Sequence, residues 1–183
     1  VGITLYLVRH GEAAGNWDNS VDPGLSKRGR EQAEIVADRL CNQLSPIDIF
    51  CSPLARTRET AEPFSRRWKR EAIITPELTE VPSAGVDLGD RRKWLTGVRA
   101  GIWPEQSETL SLWREDILKF VHSRREDAVL VTHFVVINAI VSAIEKSDNV
   151  VVFRPDNCSV TVVSLENEAR IIEKGVEADT VVK

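Results

Sequence analysis

Ile3, Leu5 and Leu7 alternate with Thr4, Tyr6 and Val8 in a short apolar run that predicts a buried strand stopping near His10-Gly11. Gly11 lets the chain turn there. Glu12 to Leu25 is polar and rich in turn formers, longer than a plain strand-to-helix connection, and ordered loops of that length are usually functional. Ser26 then caps a helix whose Ala33, Val36, Ala37, Leu40 and Leu44 keep the three- and four-residue spacing of one buried face, with Pro46 ending it. Ile47 to Cys51 is a second strand. Ser52-Pro53 supplies a capping residue and a proline at the first helical position of a helix running to about Arg67.

Ala72 to Thr75 predicts another strand, after which Pro76 to Pro104 is mostly irregular and reads as an insertion or lid. Ser107 caps a helix that buries Leu110, Trp113, Ile117, Phe120 and Val121. The strand Ala128 to Thr132 follows, apolar except at its end, and His133 stands where it stops. Phe134 to Ile144 is apolar nearly all round, as a helix buried against a sheet would be. Val150 to Phe153, Cys158 to Leu165 and Ala169 to Glu173 supply further strands. Short strands alternating with helices predict an α/β sandwich. No repeat or long linker divides the 183 residues, so residues 1–183 read as one domain with the lid at 76–104.

Charge narrows the range of partners. With 24 Lys and Arg against 28 Asp and Glu, a formal net charge of −4, and no long basic run, the chain lacks the positive footprint of a nucleic-acid or membrane-surface protein. Any anionic ligand must be held by local charge. Cys41, Cys51 and Cys158 are odd in number and widely spaced, which suits core residues of a reducing compartment. No window reaches the length of a membrane span, so a cytoplasmic location is expected.

Ligands of an open α/β sheet bind outside the carboxyl ends of its parallel strands. Three such ends carry Arg9-His10, the turn from Ser52 to Arg58, and His133, so two of the three histidines occupy equivalent positions beside arginines suited to phosphate. This grouping suits phosphoryl transfer to a histidine. Attack on phosphorus needs a bare ring nitrogen, and neighbouring guanidinium charges would lower the pKa of His10 enough to provide one. Arg9, Arg56 and a protonated His133 would share the charge of the transferring group in place of magnesium, so no metal and no cofactor is expected.

Leu7-Val8-Arg9-His10-Gly11-Glu12, with Asn16 four residues on, closely resembles the Arg-His-Gly-Glu signature of the histidine phosphatase superfamily, also called the phosphoglycerate mutase-like family. Leu25-Ser26-x-x-Gly29-x-x-Gln32-Ala33, Ser52-Pro53-Leu54-x-Arg56-x-x-x-Thr60-Ala61 and Val131-Thr132-His133 resemble its later blocks, in the family's order. The resemblance implies a three-layer α/β/α fold with a mostly parallel sheet and His10 as the phosphorylated residue. It further implies a phosphate pocket of Arg9, Arg56 and His133, with Gly11, Glu12 and Asn16 on the substrate side. Leu78-Thr79-Glu80 fits the triplet that supplies the family's proton donor; Asp87, Asp90 and Glu108 are fallback candidates. Two departures stand out: Phe134 replaces the glycine after the second histidine, and Val81-Pro82-Ser83 replaces a Gly-x-x-Glu-Gly continuation.

The implied activity is a metal-independent phosphomonoesterase acting on a phosphorylated small molecule or a phosphoprotein. Phosphoglycerate mutase and protein phosphohistidine phosphatase are alternatives within the family, and a non-catalytic phosphate-binding domain is one outside enzymology. Length favours the phosphatase, because mutases generally carry extra segments shielding the phosphohistidine. Arg91-Arg92-Lys93 reads as a solvated face.

Overall fold

Continuous burial of Ala128–Thr132 places that strand in the middle of the sheet of the computed structural model, which describes residues 2–15, 21–83 and 85–179. Strand β1 (Ile3–Arg9) and strand β2 (Asp48–Cys51) flank it as parallel neighbours, with β3 (Ile73–Ile74) outside β2; the central strand is β4. On the other side β5 (Val160–Leu165) runs antiparallel to β1, and β6 (Ala169–Glu173) antiparallel to β5. The order is β3-β2-β4-β1-β5-β6, and only β5 opposes the common direction.

Side chains alternate across each strand, so the sheet feeds two cores. Val8, Ile49, Val129 and Val131 pack against α1 (Lys27–Gln43) and α2 (Ala55–Trp68) through Val36, Ala37, Leu40, Ala61 and Phe64. Leu5, Leu7 and Leu130 meet the opposite layer, where α4 (Glu108–His122) and α5 (Phe134–Ile144) contribute Ile117, Val121, Ile137 and Ile140. The result is the α/β/α sandwich that the sequence implies. Ser26 and Ser107 cap α1 and α4 by accepting from the backbone N–H of Gly29 and Leu110. Among the described residues, no helix is long and apolar enough to cross a membrane.

Three elements differ from the sequence reading. Residues 76–104 are not mostly irregular, because α3 (Arg91–Ala100) occupies ten of them and buries Leu95 and Val98; its single turn of apolar spacing is interrupted by Gly97. Helix α2 begins at Ala55 with Leu54 at its N-cap and no side-chain cap there, while Ser52 Oγ accepts from Leu54 N–H at 3.2 Å and also pairs with His133. Val150 to Phe153 is not a strand. The fully buried Asn138 of α5 takes the place of a neighbouring strand there: its Oδ1 accepts from the N–H of Val152 (2.8 Å) and Phe153 (3.2 Å). Its Nδ2 donates to the carbonyl of Phe134 at 3.0 Å.

Removing that amide strands two backbone donors, at about 1–3 kcal/mol for each one left unpaired in the interior. Asn138→Ala is therefore expected to lower the unfolding free energy by about 2–4 kcal/mol in a urea titration. A loss below about 1 kcal/mol would show that water replaces the side chain.

Candidate active site

The register of the parallel strands assembles the site. Arg9 lies opposite Thr132 and Cys51 opposite Val131, so the next residues in each chain segment, His10, His133 and Ser52, emerge together at one edge. The His10 and His133 rings meet edge-on with centroids 5.2 Å apart. Ser52 Oγ pairs with His133 Nε2 at 2.8 Å, and His133 Nδ1 is buried with no hydrogen-bond partner among the described residues. An orphaned polar atom in such a place marks where a ligand atom would sit.

The protonation of His10 follows from its contacts. Nδ1 lies 2.7 Å from the carbonyl oxygen of Gly11, which can only accept, so Nδ1 carries the proton and Nε2 holds the lone pair. Arg56 Nε donates to Nε2 at 3.3 Å. Burial, then the charges of Arg9 and Arg56, hold the His10 pKa well below the ordinary imidazole value. His133 is depressed likewise, by burial first and then by His10, Arg56 and Arg9. These influences favour the neutral His133 ring.

Arg56 reaches the site from the first turn of α2 and is 4% exposed. Arg9 donates from Nη1 to the carbonyl of Pro155 at 2.9 Å, and burial together with Arg99 lowers its pKa to about 10, leaving it cationic at neutral pH. Residues 155–159 also grip the backbone beneath the two functional side chains. Cys158 N–H donates to the Arg9 carbonyl at 2.9 Å, and Asn157 Nδ2 donates to the His10 carbonyl at 2.9 Å. Cys158 accomplishes this in a left-handed conformation, φ 55°. Nothing in the sequence signalled this clamp, because its partners are backbone atoms about 150 residues away in the chain.

Glu80 enters the same space. It is 6% exposed, Oε1 accepts from Val81 N–H at 3.0 Å, and Oε2 accepts from Val135 N–H at 3.4 Å in the first turn of α5. Asp87, Asp90 and Glu108 are all exposed. Glu12 turns elsewhere: its Oε1 accepts from the Ser26 hydroxyl at 2.8 Å and its Oε2 lies 3.8 Å from Arg28. Gly11 donates its N–H to Thr60 Oγ1 at 3.0 Å. Asn16 lies outside the described residues.

Phe134 is buried in the apolar core, with two guanidinium groups over its ring: Arg9 Cζ at 5.3 Å and Arg99 Cζ at 4.4 Å from the centroid. Arg99 is the residue the sequence reading missed. Its only signal was the placement of Arg91, Leu95 and Arg99 on one helical face, around the buried Leu95. Beside the histidines, Arg56 and Glu80 open on a cavity of about 180 Å³, walled also by Leu54, Val81, Pro82 and Arg91. A bare imidazole nitrogen, several guanidinium groups and one carboxylate in a largely buried space suit attack on a tetrahedral oxyanion.

The sequence matches the histidine phosphatase superfamily (branch 1) over residues 5–177. It is 27% identical to phosphoserine phosphatase 1 of Hydrogenobacter thermophilus, over 94% of this chain and 91% of that one. It is 29% identical to a probable phosphoglycerate mutase of Escherichia fergusonii, over 60% of this chain and 58% of that one. Among solved structures, YhfR of Bacillus stearothermophilus superposes with a TM-score of 0.75 at 22% identity, covering 97% of this chain and 98% of that one. That likeness is one of fold.

Two rings kept neutral in the folded chain have a consequence for stability. Below an ordinary imidazole pKa of about 6.5 the unfolded chain binds protons that the folded chain does not. The contribution of the rings is therefore fully present above about pH 6.5 and declines as pH falls, by up to about 1.4 kcal/mol per pH unit for each ring. Denaturant titrations between pH 7.5 and 5.5 are expected to show this decline, and His10→Asn and His133→Asn should each remove one ring's share. An unaltered slope in both variants would mean that the rings charge within the folded state.

Proposed function

We infer, from the premise that this chain belongs to the histidine phosphatase superfamily (branch 1), that it is a phosphatase, a metal-independent phosphomonoesterase working through a phosphohistidine on His10. One observation carries the mechanism: the hydrogen bond from His10 Nδ1–H to the Gly11 carbonyl leaves Nε2 bare and directed among the arginines. An arriving phosphomonoester draws Arg56 from Nε2 onto its own oxygens, which frees the lone pair. Nε2 attacks phosphorus and the bond to the leaving oxygen breaks. Glu80, the carboxyl group that lines the cavity, gives a proton to that oxygen. The carboxylate then takes a proton from water as the water attacks the phosphohistidine, and inorganic phosphate departs. Arg9, Arg56 and His133 hold the equatorial oxygens, which assigns to guanidinium and imidazole donors the charge stabilisation a metal ion supplies elsewhere.

The superfamily acts on phosphorylated substrates, and the size of the cavity beside Glu80, about 180 Å³, supports a small molecule rather than a folded phosphoprotein or a nucleic acid. The relative named phosphoserine phosphatase is consistent with a leaving group of that scale. A buried carboxylate next to Arg56 favours esters, whose alkoxide leaving groups need a proton, over protein phosphohistidine, which does not. We read residues 1–183 as one domain in which segment 76–104 walls the leaving-group side. The three free cysteines fit a cytoplasmic setting.

Hydrolysis of an aryl phosphate, followed with and without EDTA, tests the core of this reading. Wild type is expected to be active and indifferent to the chelator, with an acid-labile phosphoryl group trapped on His10. His10→Ala should fall to background while its fold, by circular dichroism, persists. Retained turnover in His10→Ala would end the phosphohistidine mechanism. Glu80→Gln is expected to lose about 10²–10⁴ in kcat on alkyl phosphates and much less on aryl phosphates, which leave without help. Equal losses on both would take the proton-donor role from Glu80.

A further inference from the structure

Behind the fully buried His133 ring stand two further buried hydroxyl groups, those of Ser52 and Thr57, whose protons are shared out among the protein's own acceptors. Thr57 Oγ1 lies 2.8 Å from the carbonyl oxygen of Leu54 and 3.0 Å from that of Ser52. A carbonyl oxygen can only accept, so the single hydroxyl proton of Thr57 is committed to this pair. Ser52 Oγ lies 2.9 Å from Thr57 Oγ1, and only the Ser52 proton is left to fill that contact. Ser52 Oγ then accepts from its remaining neighbours. One is the N–H of Leu54 at 3.2 Å; the other is His133 Nε2 at 2.8 Å, which must carry the proton of its ring. The opposite assignment, Ser52 donating to His133, leaves two hydroxyl oxygens 2.9 Å apart without a proton between them, or turns the Thr57 proton away from both carbonyl groups.

A neutral imidazole has one N–H, so Nδ1 is left with a lone pair. It is the same atom that is buried without a hydrogen-bond partner among the described residues. A dianionic phosphoryl group offers only acceptors, and a lone pair set against it repels. The ring can hold such a group only with a second proton, placed on Nδ1. Burial, then His10, Arg56 and Arg9, all oppose that proton, so the anion and the proton must arrive together. The outcome is a cationic donor, whose hydrogen bond to an oxyanion is about twice as strong as a neutral one.

We propose that Thr57 is a positioning residue which, through Ser52, fixes His133 as the Nε2–H tautomer, so that His133 binds a phosphoryl group only together with a proton taken from solvent onto Nδ1. Its part in turnover rests on the phosphatase reading of this site; the tautomer does not.

Long-range proton–nitrogen NMR correlations of protein carrying isotope-labelled histidine distinguish bare from protonated ring nitrogens, and His133→Asn assigns the signals. Wild type is expected to show His133 with Nε2–H and a bare Nδ1. Saturation with tungstate, a tetrahedral dianion without a proton at neutral pH, should then protonate both nitrogens. Thr57→Val keeps the side-chain shape and removes the hydroxyl, which releases the Ser52 proton to Nε2. The ring is expected to move to the Nδ1–H form and to keep a single proton with tungstate bound. Thr57→Ser restores the hydroxyl and should restore the wild-type spectra. In aryl phosphate hydrolysis kcat should fall about tenfold in Thr57→Val, where the donor remains but its charge is lost, and stay within about threefold in Thr57→Ser. An Nδ1–H ring in wild type overturns the proposal, and decides it even where the Val variant does not fold. A bare Nδ1 that persists in folded Thr57→Val overturns it as well. The expected tautomers without hydrolysis would keep the role of Thr57 and remove the phosphatase. Hydrolysis through a phosphohistidine with the opposite tautomer would do the reverse.

Discussion

The carbonyl of Gly11 decides which nitrogen of His10 is bare, and it can face Nδ1 only because the chain turns sharply as it leaves β1. That turn is packed against α1 with no room for side chains. A Cβ on Gly11 would lie 2.5 Å from the carbonyl oxygen of Gly29, and a Cβ on Gly29 would lie 2.1 Å from the carbonyl oxygen of Glu12. Both neighbours are backbone, so neither can swing aside. Ser26 locks the arrangement by donating its N–H to the Glu12 carbonyl and its hydroxyl to the Glu12 carboxylate, while capping α1. Two sequence blocks separated by a long loop are therefore one packing event, and the tautomer of His10 depends on it. Glu12 takes part as a structural anchor of this turn.

The parts legible in the sequence are those whose cause is local. Alternation gave the strands, the spacing of Ala33, Val36, Ala37 and Leu40 gave the buried face of α1, and polar strand ends gave His10 and His133. The parts that were not legible are held by distant backbone atoms. Val150 to Phe153 has the composition of a strand, but Val150 N–H donates to the Gly101 carbonyl and those of Val152 and Phe153 to the side chain of Asn138, and no pattern in the segment itself could reveal that. The grip of residues 155–159 on Arg9 and His10 is of the same kind. Helix α3 was hidden because two buried residues in ten, with a glycine among them, make too short a period to stand out. Ser52 read as a cap because of its residue type; its hydroxyl accepts from Leu54 N–H ahead of α2, and its second contact, to His133 just after β4, comes from a distant part of the chain.

Phe134 shows how a single departure from the family pattern can be absorbed. A glycine there would leave Arg9 and Arg99 to face one another across open space, and the charge of Arg99 already depresses Arg9. The electron-rich face of the ring lies beneath both guanidinium groups, an attraction of about 0.5–2 kcal/mol for each when partly desolvated. The ring offsets part of the mutual repulsion and lets a second cation approach the pocket. Phe134 and Arg99 are thus coupled choices, and Arg99 belongs to α3, the helix whose other end carries Arg91 on the wall of the cavity that Arg56 and Glu80 also line.

In the proposed reaction a bound phosphoryl group would reconcile the neutral His133 that its surroundings favour with the charged form suggested by the sequence. Burial and three neighbouring groups, His10, Arg56 and Arg9, all push its pKa down. A phosphoryl group carrying two negative charges reverses the sign of the nearest and strongest field, at a ring whose Nδ1 has no partner of its own. In the reaction proposed for this site, proton uptake by His133 on substrate binding would then cost little, because the proton would be shared with a phosphoryl oxygen. In the reaction proposed for this site His10 would experience the opposite change, because its bare Nε2 would form the bond to phosphorus and so would not compete for that proton. Two rings of the same type, depressed by the same surroundings, are in this reading separated in role by one contact each, the Gly11 carbonyl on His10 and the Ser52 hydroxyl on His133.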